Sequence, residues 1–188
     1  MLDERGPTLL ALARGAIADR LGERRTPIRS APWLEQPGAS FVSIHLQGNL
    51  RGCVGSLSPQ WPLRVDVEAN AVAAAFQDSR FAPLSRTEFL LSDLEVSLLS
   101  PLEELQVESE AHLLASLRPG VDGVVFECGW RRSTFLPQVW EQLPDPQTFL
   151  DHLRQKAGLP ARFWTEEVRC SRYTVAKWAE KEPSLVQK

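Results

Sequence analysis

Leu50-Arg51-Gly52-Cys53-Val54-Gly55 places a guanidinium and a thiol one residue apart on a glycine-rich backbone. A cysteine becomes a nucleophile when a cation or a hydrogen-bond donor stabilises its thiolate. Alternate side chains of a strand share a face, so Arg51 and Cys53 are spaced to act together. Gly52 and Gly55 would let a ligand come close to the main chain. The same residues also serve packing, because free cysteines are among the most buried residue types and strand glycines mark bulges or tight backbone approach. Both readings stay open.

His45 is the nearest candidate base, and its part depends on the turn at Gln47-Gly48-Asn49. A two-residue loop puts Arg51 and Cys53 on the face of Val42 and Ile44, with Cys53 in the core. A three-residue loop changes the parity and brings His45, Arg51 and Cys53 to one face, as a Cys–His pair needs. Asp78 and Arg80 lie in a loop after a helix, where they form either part of a binding site or a local ion pair and cap. Gln138, beside Pro137, presents its amide to a ligand or caps a backbone group. His112 and His152 read as solvated helix positions, and Cys128 and Cys170 as core.

Other chemistries have little support. The three cysteines are an odd number with no CxxC spacing, which disfavours a disulfide framework and a structural zinc site. No P-loop, GxGxxG, Ser-His-Asp order or paired-carboxylate motif occurs, so no metal site is expected and no cofactor is named. A net charge of -3 without a basic stripe argues against nucleic acid as a partner. No apolar run reaches the roughly 18 residues that a membrane helix needs, and the N-terminus lacks a signal pattern. A reducing cytoplasm is the expected location. The sequence does not indicate an oligomeric state.

The elements that must hold these groups are legible from periodicity. Thr8 to Leu21 predicts an amphipathic helix, and the prolines between Glu23 and Ala39 an extended segment pinned by Ile28, Trp33 and Leu34. Ser40 to Leu46 alternates as a strand, with Leu50 to Leu57 as its return. A helix follows from Leu63 to Asp78, with an alanine-rich face completed by Val65, Val72 and Phe76. Ser85-Arg86-Thr87-Glu88 matches a capping box, and Leu94 to Leu99 alternates again. Beyond Pro101, a helix over Glu108 to Leu117 precedes a hairpin of Val121–Cys128 and Trp130–Leu136. Asp145-Pro146 starts a helix ending near Ala157. Val168 to Trp178 reads as one last strand, and residues 180–188 as a frayed tail. At 188 residues, 43% hydrophobic and 24% charged, the chain is an ordinary globular protein. Hairpins mixed with irregularly ordered helices predict an α+β fold, with mainly antiparallel sheets packed against helices.

Leu50-Arg51-Gly52-Cys53-Val54-Gly55 resembles the Leu-Arg-Gly-Cys-Ile-Gly signature of the AMMECR family. Asp78-Ser79-Arg80-Phe81-Ala82-Pro83-Leu84, Glu95 to Pro101, Asp122 to Val125, Leu136 to Val139 and Lys156 to Pro160 resemble further family blocks in the same order. Ser79 stands where relatives carry proline, and Arg154 where many carry cysteine, which puts in doubt any mechanism needing a second thiol there. The resemblance implies one domain over residues 1–179, built of two packed subdomains with a cleft between them. It also implies kinship with the bacterial AmmeMemoRadiSam system protein A, encoded with Memo-like and radical-SAM proteins as possible partners. Two functions follow. One is a binding or partner component of a modification system. The other is a thiol-dependent enzyme using Cys53 in a cleft with Arg51, Asp78 and Arg80.

Overall fold

In the computed structural model, which describes residues 4–25, 27–28 and 30–180, the first helix is α1 (Arg5–Arg20). Leu9, Leu12, Ala13, Ala16 and Ile17 recur three and four residues apart and form its buried stripe. Gly22, at φ 72, takes the left-handed conformation that ends helices. In the proline-rich stretch, a 3-10 turn at Pro32–Glu35 buries Leu34 and leads into β1 (Pro37–Gly38). Strands β2 (Ser40–Leu46) and β3 (Asn49–Gly55) form the expected hairpin. The two-residue β4 (Trp61–Pro62) pairs with β1 and delivers the chain into α2 (Leu63–Phe76).

The buried face of α2 is Leu63, Asp66, Val67, Asn70, Ala71, Ala74 and Ala75, a continuous i, i+3, i+4 series. Val65, expected inside, is 44% exposed. Two residues on from Leu63 it is turned by about 200°, to the opposite side of the helix. The short α3 (Arg86–Leu91) starts with the capping box read from the sequence, and β5 (Ser92–Leu99) follows.

Packing divides the chain into two units. One runs to Leu99 and includes the chain again from Ala176; the other is Ser100–Val175. The second unit contains β6 (Glu103–Leu105), α4 (Glu110–Ser116), β7 (Gly123–Cys128), β8 (Arg131–Phe135), α5 (Pro146–Lys156) and β9 (Arg169–Tyr173). Its four strands run antiparallel in the order β6-β9-β7-β8. Its core gathers Leu113, Val124, Phe126, Phe149, Leu150 and Leu153, with Trp140 stacked on Phe149 at 3.7 Å between ring centroids. Asp145 caps α5 by accepting the Thr148 N–H at 2.8 Å, and Pro146 occupies the first turn. Arg154, on the same helix, is fully buried; its Nη1 donates to Glu110 and Ala161 O, both at 2.8 Å. Burial pushes the Cys170 thiol up to about 12.

The segment read as one final strand is two. It breaks at Thr174, and β10 (Val175–Ala179) joins the sheet of the first unit instead, in the order β10-β5-β2-β3. Alternation cannot reveal this, because both halves are extended and only their neighbours differ. One face of this sheet, with Val42, Ile44, Leu94 and Val96, shares a core with α1 and α2. The other face carries Phe41, Ser43, His45, Asp93 and Glu95, all half-buried. The architecture is α+β with mainly antiparallel sheets. The expected frayed tail lies, from residue 181, outside the described residues. Among the described residues no helix is long and apolar enough to cross a membrane.

Candidate functional site

The hairpin turn is Gln47-Gly48, at φ 53 and φ 80, and Asn49 already pairs with Leu46 in the ladder. Positive φ at both central residues gives a two-residue turn whose twist matches the strands. Asn49 is therefore not a turn residue. With so short a loop, strand alternation alone predicts Cys53 on the core face beside Val42. It is not there. The register slips between Ile44 and His45: Ile44 opposes Gly52 while His45 opposes Leu50, leaving Arg51 as an extra residue. This bulge supplies the change of parity that sequence reasoning reserved for a longer loop. Gly52 now faces α2, where an added Cβ would lie 2.2 Å from the Ala74 carbonyl oxygen. Cys53 opposes Ser43 on the other face of the sheet and is half-buried.

Strand β3 is the edge of its sheet, so half of its backbone groups need partners from elsewhere. Asp78 and Arg80 provide them at Cys53. The Cys53 N–H donates to Asp78 Oδ2 at 2.9 Å, and Arg80 Nη2 donates to the Cys53 carbonyl at 3.4 Å. The two side chains are joined by Arg80 Nε to Asp78 Oδ1 at 2.9 Å and Arg80 Nη2 to Asp78 Oδ2 at 2.7 Å. The Arg80 guanidinium, and after it the Cys53 N–H, hold the Asp78 carboxyl well below the usual carboxylate range. The hydrogen bond to Asp78 in turn raises Arg80 above its ordinary value. The ion pair thus replaces a missing neighbouring strand.

Arg51 is tied to a different element. Its Nε donates to Glu88 Oε1 at 2.9 Å, and its Nη2 to the Ala82 carbonyl at 2.8 Å. Glu88 is also the acidic member of the capping box, accepting the Ser85 N–H at 2.9 Å. Arg51 first, and Ser85 second, hold the Glu88 carboxyl down at about 2. Both Arg51 and Arg80 place their guanidinium carbons near the Phe81 ring, at 5.6 and 5.4 Å from its centroid. Arg51, Cys53, Asp78 and Arg80 therefore form one connected patch.

The thiol's own neighbour is Ser43, whose hydroxyl donates to Cys53 Sγ at 3.2 Å. His45 is on the same strand face as Ser43 but one row further along, opposite Leu50 and Asp93. Gly55 meets a steric need, since an added Cβ would lie 2.2 Å from the Phe41 ring. Gln138 is exposed, on a 3-10 turn of the second unit. Among the described residues no group of three or more His, Cys, Asp or Glu is arranged to hold a metal ion. Sequence reasoning missed Ser43, Phe81 and Glu88 as members of the patch. The capping box identified Glu88, but its second bond joins residues 37 apart in sequence and has no local signature.

A family model described as AMMECR1 matches residues 10–178. A Methanothermobacter thermautotrophicus protein is 39% identical over 175 residues, covering 90% of this chain and 91% of that protein. A Thermotoga maritima protein is 35% identical over 163 residues, covering 85% and 88%. The crystal structure of an uncharacterized protein from Pyrococcus horikoshii has a TM-score of 0.78 and 32% identity, covering 97% of this chain and 95% of that one.

Proposed function

The chain belongs to the AMMECR1 family, and from that premise we propose that it is a non-catalytic binding component of a modification system. Its recognition surface is the stiffened edge from Leu50 to Gly55, presented to Memo-like and radical-SAM proteins. The supporting observation is that three groups thiol catalysis would recruit, Arg51, Asp78 and Arg80, are already bonded within the chain. Arg51 holds Glu88 and Ala82, and Asp78 and Arg80 hold the Cys53 main chain. What remains outward is recognition chemistry: the Arg80 side chain is 55% exposed and Leu50 is 42% exposed.

The chain co-purified with those partners tests the reading. Cys53→Ser should fold, retain the partners and support full pathway output, whereas Leu50→Asp should lose them. A Cys53→Ser protein that folds and keeps its partners but loses output overturns the reading in favour of the alternative, a thiol-dependent enzyme with Cys53 as nucleophile. One observation favours that alternative. Cys53 is half-buried on the face it shares with Ser43 and His45, not sealed under α2.

A further inference from the structure

An open cavity of about 410 Å³ lies within the first unit, between the segment that follows β3 and the early turns of α2. Its wall includes Asp66, a carboxylate residue only 4% exposed. Asp66 accepts from Ser40 N–H at 2.8 Å, Ser40 Oγ at 2.6 Å, Asn70 Nδ2 at 3.0 Å and the Ser56 hydroxyl. All four donors are neutral. Among the described residues no Lys, Arg or His forms an ion pair with it, and its hydrogen-bond partners are these four neutral donors.

Two other residues of the wall, Ser56 and Asn70, bond to Asp66 and keep acceptor capacity; Ser58 and Gln60 line the cavity as well. Ser56 gives its proton to Asp66, which leaves its lone pairs for the cavity. Asn70 Nδ2 faces three oxygens, Ser40 O at 3.0 Å, Ser40 Oγ at 3.3 Å and Asp66 Oδ2 at 3.0 Å. That environment fixes the amide orientation and leaves the side-chain carbonyl oxygen as the acceptor of Asn70, a residue of the cavity wall. The apolar part of the wall is Trp61, 61% exposed, with Leu57 at 37%. Acceptors backed by a buried carboxyl group, beside an open indole, match a cationic hydrogen-bond donor on an apolar stem.

We propose that this cavity binds an alkylammonium group, either of a free small amine or of a lysine side chain on a partner. The inference stands apart from the hairpin reading and shares no residue with it. Asp66 also ties β2 to α2, so a variant there would report on folding. Ser56 and Trp61 are the better probes.

The test is amide and indole NMR of the full chain titrated with n-butylammonium chloride, with 1-butanol as the neutral control. Saturable shifts confined to Ser56–Trp61 and Asp66–Asn70, absent with 1-butanol, are expected. Trp61→Ala should weaken binding roughly two- to fivefold, and Ser56→Ala should weaken it as well. A Gly-Lys-Gly peptide binding tighter than butylammonium assigns the site to a partner's lysine, and the reverse order to a free amine. Non-saturating shifts, equal shifts with 1-butanol, or unchanged affinity in both variants would overturn the proposal. Partner co-purification is not involved, so failure here leaves the hairpin reading standing, and the reverse also holds.

Discussion

Gly52→Ala separates packing from ligand approach at the centre of the signature. The added methyl would lie 2.2 Å from the Ala74 carbonyl oxygen, short by about 1 Å of the 3.4 Å at which ordinary van der Waals contact begins. The obstacle is helix backbone, which cannot rotate aside, so β3 must back away from α2. Overpacking of this kind costs about 1–3 kcal/mol. The movement also strains the Cys53 N–H bond to Asp78, a hydrogen bond to a charged group of the kind that contributes about 1.5–3 kcal/mol. The expected loss is about 2.5–6 kcal/mol if that bond is lost in full, a large share of the stability of an ordinary domain. Urea unfolding followed by circular dichroism should show the midpoint fall by about 2 M. Gly48→Ala is the control: at φ 80 with open space around it, only backbone strain of about 1 kcal/mol is expected. A Gly52→Ala protein within about 1 kcal/mol of the parent would refute the packing argument and return Gly52 to the list of ligand-approach positions.

Asp78→Asn should loosen the clip on β3, and hydrogen exchange at the Cys53 amide should accelerate about tenfold or more; unchanged exchange would mean that the Asp78 charge does not protect that amide. Glu88 has its folded value lowered from the ordinary 4.5 to about 2, so its contribution to stability is full above pH 4.5 and is lost as pH falls toward 2. Arg51→Met should flatten that part of the acid-unfolding curve, and a curve parallel to the parent's would count against the Arg51–Glu88 pair. In the second unit, Arg154 is buried with Nε and Nη2 unpaired among the described residues. Arg154→Met should nevertheless lose about 3 kcal/mol or more, because it strips Glu110, Asp151 and the Ala161 carbonyl of their shared partner. Arg154→Ala should lose more still, because it opens a cavity in addition. Chemical denaturation of both variants checks the pair, and an Arg154→Met protein within about 1 kcal/mol of the parent would show that the desolvated Nε and Nη2 offset the guanidinium bonds.

Local chemistry carried much of the architecture in plain view. Asp145-Pro146 starts α5, and Ser85 with Glu88 starts α3, because a cap is satisfied within one helical turn. The α1 stripe and the β2 alternation likewise depend only on each segment's own period. What an element joins is decided by its neighbours and not by its own period. Val168 to Trp178 reads as one strand, yet its halves join different sheets. Apolar type places Val65 on the buried stripe of α2, but the face is set by the phase of Asp66 and Asn70, which bond to Ser40.

The signature shows the same division most sharply. Residue types alone put a thiol, a guanidinium and two glycines on one hairpin and tied them by resemblance to a loop containing Asp78 and Arg80. They left undetermined which way the thiol faces, since that turns on one residue of register. The tertiary structure decided it, by pressing Gly52 against the Ala74 carbonyl, making Arg51 the extra residue and clipping Cys53 through Asp78 and Arg80. Register is a property of two strands and the helix beneath them, and no single stretch of sequence contains all three.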